Sequence, residues 1–383
     1  MKKIGIIGAG PVGLAAAETL TNAGIDVCVF DVGNQGRATY RAAAAFWTPF
    51  SSGVDDASAS QQSKITLEHF QKLANSTTNR SSVSGVEERQ LEMNFLKGTF
   101  GLRPEWSKIP SLGTIYANLG DPYLGRKLTP VLKQAGFPPN CQFRCEMTYR
   151  TPVVCVDIFI PWLKNQLSSN GVSFVPAEQA LDFGSVESVN YWQQLINTAG
   201  VSTLVFCLGV ETIAARFPLQ SFRELNTFTP KKGIVAHVRH EPKAEDSIVL
   251  FEGGIFDTET LYLVPAVDRY ILGGIVHTVG KPLCADDWVP SSKEKQGVLA
   301  RAMAFLPEKY HHLIESELGT PENLKPNSEW RAGVRPVFAG GPLIGRFKET
   351  LFDREALYCF GHGGSGFTFC FDSAETLLEK YVN

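Results

Sequence analysis

Long apolar runs are missing from this chain: no stretch approaches the roughly 20 residues that span a bilayer, and the N-terminus opens directly on a strand-like segment with no leader ahead of it. These absences predict a soluble, cytoplasmic protein with no membrane partner. The C-terminal Tyr381-Val382-Asn383 also lacks a Ser-Lys-Leu-type peroxisomal address. Paired cysteines are missing as well. None of the eight cysteines stands in a Cys-x-x-Cys pair, and Cys141 with Cys145 has no matching second half. That excludes the usual zinc and disulfide frameworks and predicts buried thiols in a reducing compartment. An excess of positive charge is absent too: the formal net charge is −3, and basic residues are scattered as in Lys231-Lys232 and Arg126-Lys127. No surface for nucleic acid follows, and those pairs read as solvated. Repeats and low-complexity linkers do not occur. His311, His312 and Glu315 have helical metal-ligand spacing but no fourth partner, so they read as an exposed helical face and no metal site is expected.

What is present is an ordinary globular composition over 383 residues, 44% hydrophobic and 20% charged, enough for two domains or slightly more. Two glycine-rich loops stand at opposite ends, Gly8-Ala9-Gly10-Pro11-Val12-Gly13 and Gly361-His362-Gly363-Gly364-Ser365-Gly366. The first follows the apolar run Ile4-Gly5-Ile6-Ile7 and enters a helix-compatible stretch, Pro11 to Ala23, before a second strand from Val27 to Phe30 that ends at Asp31. This is the strand, turn and helix context of a dinucleotide fingerprint. Gly8 permits the tight turn, Gly10 lets backbone approach a pyrophosphate, and Gly13 lets helix and strand pack closely; free N–H groups of the helix N-terminus meet the phosphates. Asp31, 18 residues after Gly13, suits the two adenosine ribose hydroxyls and repels a 2′-phosphate, which favours FAD or NAD over NADP. One cofactor is expected to touch both loops.

Along the chain, Leu67, Phe70, Leu73 and Ala74 predict a helix over 59–75, followed by a polar loop from Asn75 to Ser84. Residues 85–150 show no clear period, and their Gly/Pro punctuation reads as short elements and turns. A helix from Asp157 stops at Gly171 and leads into a strand, Val172 to Val175; Thr203 to Cys207 is a buried strand ending at Leu208-Gly209. The runs Gly233–Val238, Ser247–Glu252, Leu261–Pro265 and Tyr270–Ile275 predict an antiparallel meander in a different sheet. Ser291-Ser292-Lys293-Glu294 is a capping box opening a helix that Pro307 ends, and Gly366 to Tyr381 is the last helix.

Seven ordered motifs together resemble the D-amino-acid oxidases, flavoproteins of the glutathione-reductase-type FAD folds. They are the first glycine loop, Ala43-Ala44-Ala45-Phe46-Trp47-Thr48-Pro49-Phe50, Arg126-Lys127-Leu128-Thr129-Pro130, the strand Leu204 to Gly209, Tyr262-Leu263-Val264-Pro265 with Leu272-Gly273-Gly274-Ile275, Arg331-Ala332-Gly333-Val334-Arg335-Pro336, and the second glycine loop through Phe367-Thr368. The resemblance implies an α/β fold in which a discontinuous FAD-binding domain (1–75, 150–228 and 328–383) interleaves with a substrate domain (76–149 and 229–327) built on a largely antiparallel β-sheet.

It also implies roles. Ala43, Ala44 and Ala45 would lie against one face of the flavin ring, with Ala45 standing where the family usually has glycine. Gly209 follows the strand that borders the cofactor. Gly363, Gly364, Ser365, Gly366, Phe367 and Thr368 would meet the flavin pyrimidine edge, where a helix N-terminus stabilises reduced flavin; Ser365 replaces a tyrosine common in animal members. Arg335, which also borders the cofactor, would grip the substrate carboxylate as a planar bidentate partner, and the Tyr262 hydroxyl would reach the same carboxylate. Arg331 reads as structural. Phe256 falls near a second active-site tyrosine of the family, in a loop two residues longer. The aspartate-selective branch carries an arginine just after its Gly-Gly strand; here Val276 and His277 follow, leaving no clear receptor for a side-chain carboxylate and His277 as a partner for a polar side chain. His362 belongs to a flavin-contacting turn and reads as structural.

The implied reaction is hydride transfer from the substrate α-carbon to flavin N5, with hydrolysis of the imino acid to 2-oxo acid and ammonia, and oxygen reoxidising the flavin to hydrogen peroxide. A neutral or apolar D-amino acid is expected over an acidic one. Three alternatives stay open: a dehydrogenase passing electrons to another acceptor or acting on a modified amino acid, an NAD-dependent dehydrogenase using the first loop alone, and a non-catalytic flavin-binding protein.

Overall fold

The computed structural model describes residues 3–32, 38–48, 62–76, 81–96, 122–123, 143–215, 217, 228–252, 260–281, 283–338 and 340–382. The chain opens with β1 (Lys3–Ile7), α1 (Pro11–Asn22) and β2 (Asp26–Asp31), then α2 (Lys64–Asn75), β3 (Val86–Leu96), β4 (Pro122–Tyr123) and β5 (Phe143–Val154). There follow α3 (Val156–Ser169), β6 (Ser173–Pro176), α4 (Val186–Ala199) and β7 (Thr203–Phe206), and then the strands β8 (Thr229–Val238), β9 (Ile248–Glu252), β10 (Leu261–Ala266) and β11 (Arg269–Thr278). Helices α5 (Ser292–Phe305) and α6 (His311–Leu318), strands β12 (Glu329–Val337), β13 (Leu343–Arg346) and β14 (Glu355–Phe360), and helix α7 (Gly366–Val382) complete it.

Two sheets organise these elements. The first has the order β13-β14-β7-β1-β2-β6 and is parallel except for the β13–β14 pair. Its strands are apolar on both faces because both are covered. Ile4, Ile6, Val27 and Val29 pack with α1, α3 and α7, whereas Ile7, Cys28 and Phe30 pack with Trp192 and Ile196 of α4 and several phenylalanines. Ala15, Ala16 and Ala17 of α1 are fully buried, and their small side chains let α7 lie close against α1. The second sheet, β12-β8-β11-β10-β9-β3-β5-β4, is antiparallel except where β3 meets β9. One face, with Ile234, Ala236, Leu263 and Leu272, packs on Val298, Phe305 and Ile314 of α5 and α6. The other face, with Val235, Leu250, Tyr262 and Val264, turns toward Ala42, Ala44 and Trp47 near the nucleotide-binding half.

The antiparallel run β9-β10-β11, the helix that leads into β6, and the capping box on Ser291 and Glu294 agree with expectation, whereas β8 lies beside β11 and not beside β9 as a meander of all four strands would require. The stretch 85–150 differs. In place of short elements, β3 and β5 pair along eleven residues, Val86 opposite Val154 through Leu96 opposite Phe143. Two features mask the alternation. Charged residues occupy β3 and are satisfied locally, Arg89 by Glu87 and Glu88 by Arg150, and a bulge between Met93 and Asn94 breaks the period. Helix α4, capped by Ser185 and ended by Gly200 in the left-handed region, and the β13–β14 hairpin were not anticipated. Helix α2 begins at Lys64, where the Asp372 carboxylate of α7 accepts the backbone N–H groups of Ile65 and Thr66 at 3.0 and 2.8 Å; residues 59–61 lie outside the described residues. Strand β12 pairs with β8 over its whole length, so the chain passes between the two sheets after Val337 rather than at 328. No helix among the described residues is long and apolar enough to cross a membrane.

Candidate active site

A cavity of about 860 Å³ runs between the two sheets, and both glycine loops line it. At one end the backbone makes the site. Gly8 has φ +119°, and a Cβ there would overlap the Cys207 carbonyl oxygen; a Cβ on Gly13 would overlap the Gly8 carbonyl oxygen. Both positions are therefore closed to side chains by the protein itself. Gly10 differs, since a Cβ there would meet nothing nearer than Tyr40, at 3.8 Å. Its bare side opens on the cavity. Helix α1 starts with Pro11 and has no side-chain cap on its first N–H groups. The N-terminus of α7 converges on it: a Cβ on Gly366 would stand 4.0 Å from Pro11. Two helix N-termini aimed at one region favour an anion there.

Asp31, ending β2, also lines the cavity. Its Oδ2 accepts from Lys164 Nζ of α3 at 2.5 Å, so this point offers a donor as well as an acceptor; nothing local in the sequence announced Lys164. Gly209 lines the same wall, with φ +57°. Ala43, Ala44 and Ala45 line it from a segment bound to β5: Val154 N–H donates to Ala45 O at 2.8 Å and Trp47 N–H to Pro152 O at 2.9 Å. Ala45 adopts φ +46°, a left-handed conformation that suits glycine and costs an alanine about 1 kcal/mol. The second loop, from Gly361 to Thr368, lines the cavity throughout. His362 is buried within it, bonded through Nε2 to Ser373 Oγ at 2.9 Å and bridged to Val337.

The other end is made by side chains. Arg335 reaches from β12 across two glycines: a Cβ on Gly233 would lie 2.8 Å from its Nη2, and one on Gly364 would lie 3.2 Å from its Cδ. The guanidinium stands close enough to the hydroxyl of Tyr262 to act on its ionisation. Burial pushes the Tyr262 phenol up and the neighbouring arginine opposes the rise, so the hydroxyl is protonated at neutral pH. The Tyr262 ring covers Gly273 on the adjacent strand, where a Cβ would collide with it, and Phe46 meets the ring edge-on at 6.0 Å.

His277 is not part of this end. Its ring points to Glu294 of α5 at 3.5 Å, and Val276 lines the cavity in its place. Counting by twos from Gly273 puts His277 on the cavity face, but a bulge at Gly274 adds one residue and reverses the phase. Gly274 has φ +131°, and its carbonyl accepts from the buried Arg301 at 3.2 Å. Phe256 and the segment Arg126 to Pro130 lie outside the described residues. Arg331 is engaged by Asp157 and Glu329. The pair Lys231-Lys232 departs from its solvated reading. Lys232 is buried, held by Glu294 at 3.0 Å and by the Asp286 and Val289 carbonyls, while Lys231 lines the cavity. Among the described residues, no group of His, Cys, Asp and Glu could hold a metal, and His311 Nε2 bonds to the Leu306 carbonyl.

Comparison with known proteins shows the family and the fold. A family profile described as FAD dependent oxidoreductase matches residues 3–379. The fold is shared with iminodiacetate oxidase from Chelativorans sp. BNC1 (17% identity, TM-score 0.60, covering 99% of this chain and 95% of that one). It is shared also with glycine oxidase from Bacillus cereus ATCC 14579 (15%, 0.60, 99% and 97%) and with L-proline dehydrogenase from P. horikoshii (15%, 0.61, 99% and 92%). None of the curated proteins matches the chain by sequence.

Proposed function

This chain belongs to the FAD-dependent oxidoreductase family, with FAD as its cofactor, and from that premise we propose that it oxidises a D-amino acid to the 2-oxo acid and ammonia in the cytoplasm, with oxygen as electron acceptor. The observation that supports this most is that Arg335 and the buried Tyr262 line the same cavity, with the guanidinium close enough to the Tyr262 hydroxyl to oppose its rise in pKa. Arg335 presents paired N–H donors to a carboxylate, which a lysine does not match. Tyr262 donates a further hydrogen bond, and its burial keeps that donor oriented. Together they hold an α-carbon in one attitude, which gives the rate benefit of a near-attack geometry.

The cavity fits the cofactor along its length. The bare side of Gly10, with the N-termini of α1 and α7, would hold the pyrophosphate; Asp31 and Lys164 would hold the adenosine ribose. Ala43, Ala44 and Ala45 would cover one face of the ring, and Gly363 to Thr368 would meet its pyrimidine edge. Bound FAD supplies the acceptor for a hydride from the substrate α-carbon. No side-chain base is required of the protein, and His362 is committed to Ser373, holding the loop in place.

The test is anaerobic mixing of the purified yellow protein with D- and L-amino acids while the flavin absorbance is followed. Bleaching by D-isomers alone is the expected result, with colour restored by air. Bleaching by L-isomers alone, or by none, overturns the reading; bleaching that air does not reverse makes the protein a dehydrogenase with another acceptor.

A further inference from the structure

Lys231 faces the substrate end of the cavity directly opposite Arg335. In the β8–β12 register Lys231 pairs with Arg335 and Gly233 with Gly333, so all four share one face of the sheet. Lys231, Arg335, Gly333 and Val276 line the cavity. The guanidinium leans over Gly233, the next residue of β8 on that face. Successive same-face positions on a strand are about 7 Å apart, so two cationic side chains rise from neighbouring positions on one face, within reach of one small molecule.

The neighbouring lysine shows what this fold does with an ammonium it means to satisfy. Lys232, on the opposite face, has Glu294 and two carbonyls. Among the described residues neither Lys231 nor Arg335 has a carboxylate partner. Among the described residues the acids that line the cavity are Asp31 and Glu211; Asp31 closes β2 at the nucleotide end, and Glu211 follows Gly209 there. Two cations at one end of a largely apolar cleft, with Leu250, Val276 and Tyr262 around them, favour ligand anions. A monocarboxylate satisfies one of them.

We propose that Lys231 is a second anion receptor and that the favoured substrate is an amino acid with a second anionic group, a dicarboxylate in the simplest case. This rests on the amino-acid-oxidising reading above and reverses its preference for neutral side chains.

The experiment compares anaerobic flavin reduction of the holoenzyme by D-aspartate and D-glutamate with that by the near-isosteric D-asparagine and D-glutamine. The expected wild-type result is a preference for the acids of tenfold or more in second-order rate constant. Lys231→Met should reduce that preference at least tenfold, mainly through the half-saturating concentration, and Lys231→Arg should restore part of it. An undiminished acid preference in Lys231→Met overturns the proposal. So does a wild-type preference for the amides, which leaves the amino-acid reading standing. A tenfold loss of sulfite affinity at the flavin in Lys231→Met would show that the lysine serves the ring, and also overturns it. If no amino acid reduces the wild-type flavin, the amino-acid reading falls and this inference with it.

Discussion

The two ends of the cavity use glycine for opposite purposes. At the nucleotide end, Gly8 and Gly13 are required by backbone crowding backbone, and what they leave exposed is a set of N–H groups. At the substrate end it is side chains that press on the glycines: Gly273 makes room for the Tyr262 ring, and Gly233 and Gly364 lie close under Arg335. A site made of backbone binds a common chemical unit such as a pyrophosphate. A site made of side chains resting on bare strand can change its specificity one residue at a time, because the bare strand does not change with it.

The sharpest way to break this contrast is Gly13→Ala. The added methyl overlaps the Gly8 carbonyl, so helix and strand must separate, and we expect loss of bound flavin and of the folded protein, read as flavin absorbance per protein and Tm. Arg335→Lys should leave flavin bound and lower the rate of flavin reduction by 100-fold or more, about 3 kcal/mol, because a bidentate charged hydrogen bond is lost. If flavin retention also collapsed, the two ends would not be separable.

A third test uses Glu18, on the side of α1 that faces α2, where burial pushes its carboxyl up to about 7 and His69 stands 3.8 Å away, its imidazole pushed down to about 4 by burial. The folded state holds the Glu18 proton more tightly than the unfolded state. Its contribution is therefore complete below about pH 4.5 and is lost as pH rises through 7, by at most about 3 kcal/mol. Glu18→Gln should flatten the fall in Tm between pH 5 and 8 relative to wild type; an unchanged slope would remove Glu18 as the cause. Tyr262→Phe deletes one donor and should slow flavin reduction about tenfold, near 1.4 kcal/mol, with unchanged Tm. The smallest effect is expected from Ala45→Gly. Relief of the left-handed backbone is opposed by the greater freedom of unfolded glycine, leaving a net gain below about 1 kcal/mol in chemical denaturation.

The same contrast explains what the sequence could reveal. The nucleotide end is local: Gly8, Gly13, α1 and Asp31 lie within one short unit, and their spacing is the message. Arg335 and Tyr262 required resemblance to a family, since they lie on strands that only the sheet brings together. Lys231 was legible only as half of a basic doublet, because the facing of a residue depends on strand register and its opposition to Arg335 depends on pairing across about a hundred residues. Charged β3 hid its period behind the ion pairs that neutralise it. His277 was misassigned because one residue of bulge cannot be counted from composition.

The bulge at Gly274 makes the length of β11 and the orientation of its end independent of one another. Without Gly274 the strand would be one residue shorter, yet Gly273 and Val276 would still stand two apart and face the cavity. A bulky residue at 274 preserves the length but collides with the Thr260 carbonyl, forcing the strand toward regular pairing and His277 toward the ligand. At this point in the chain, losing a residue is a gentler change than replacing it.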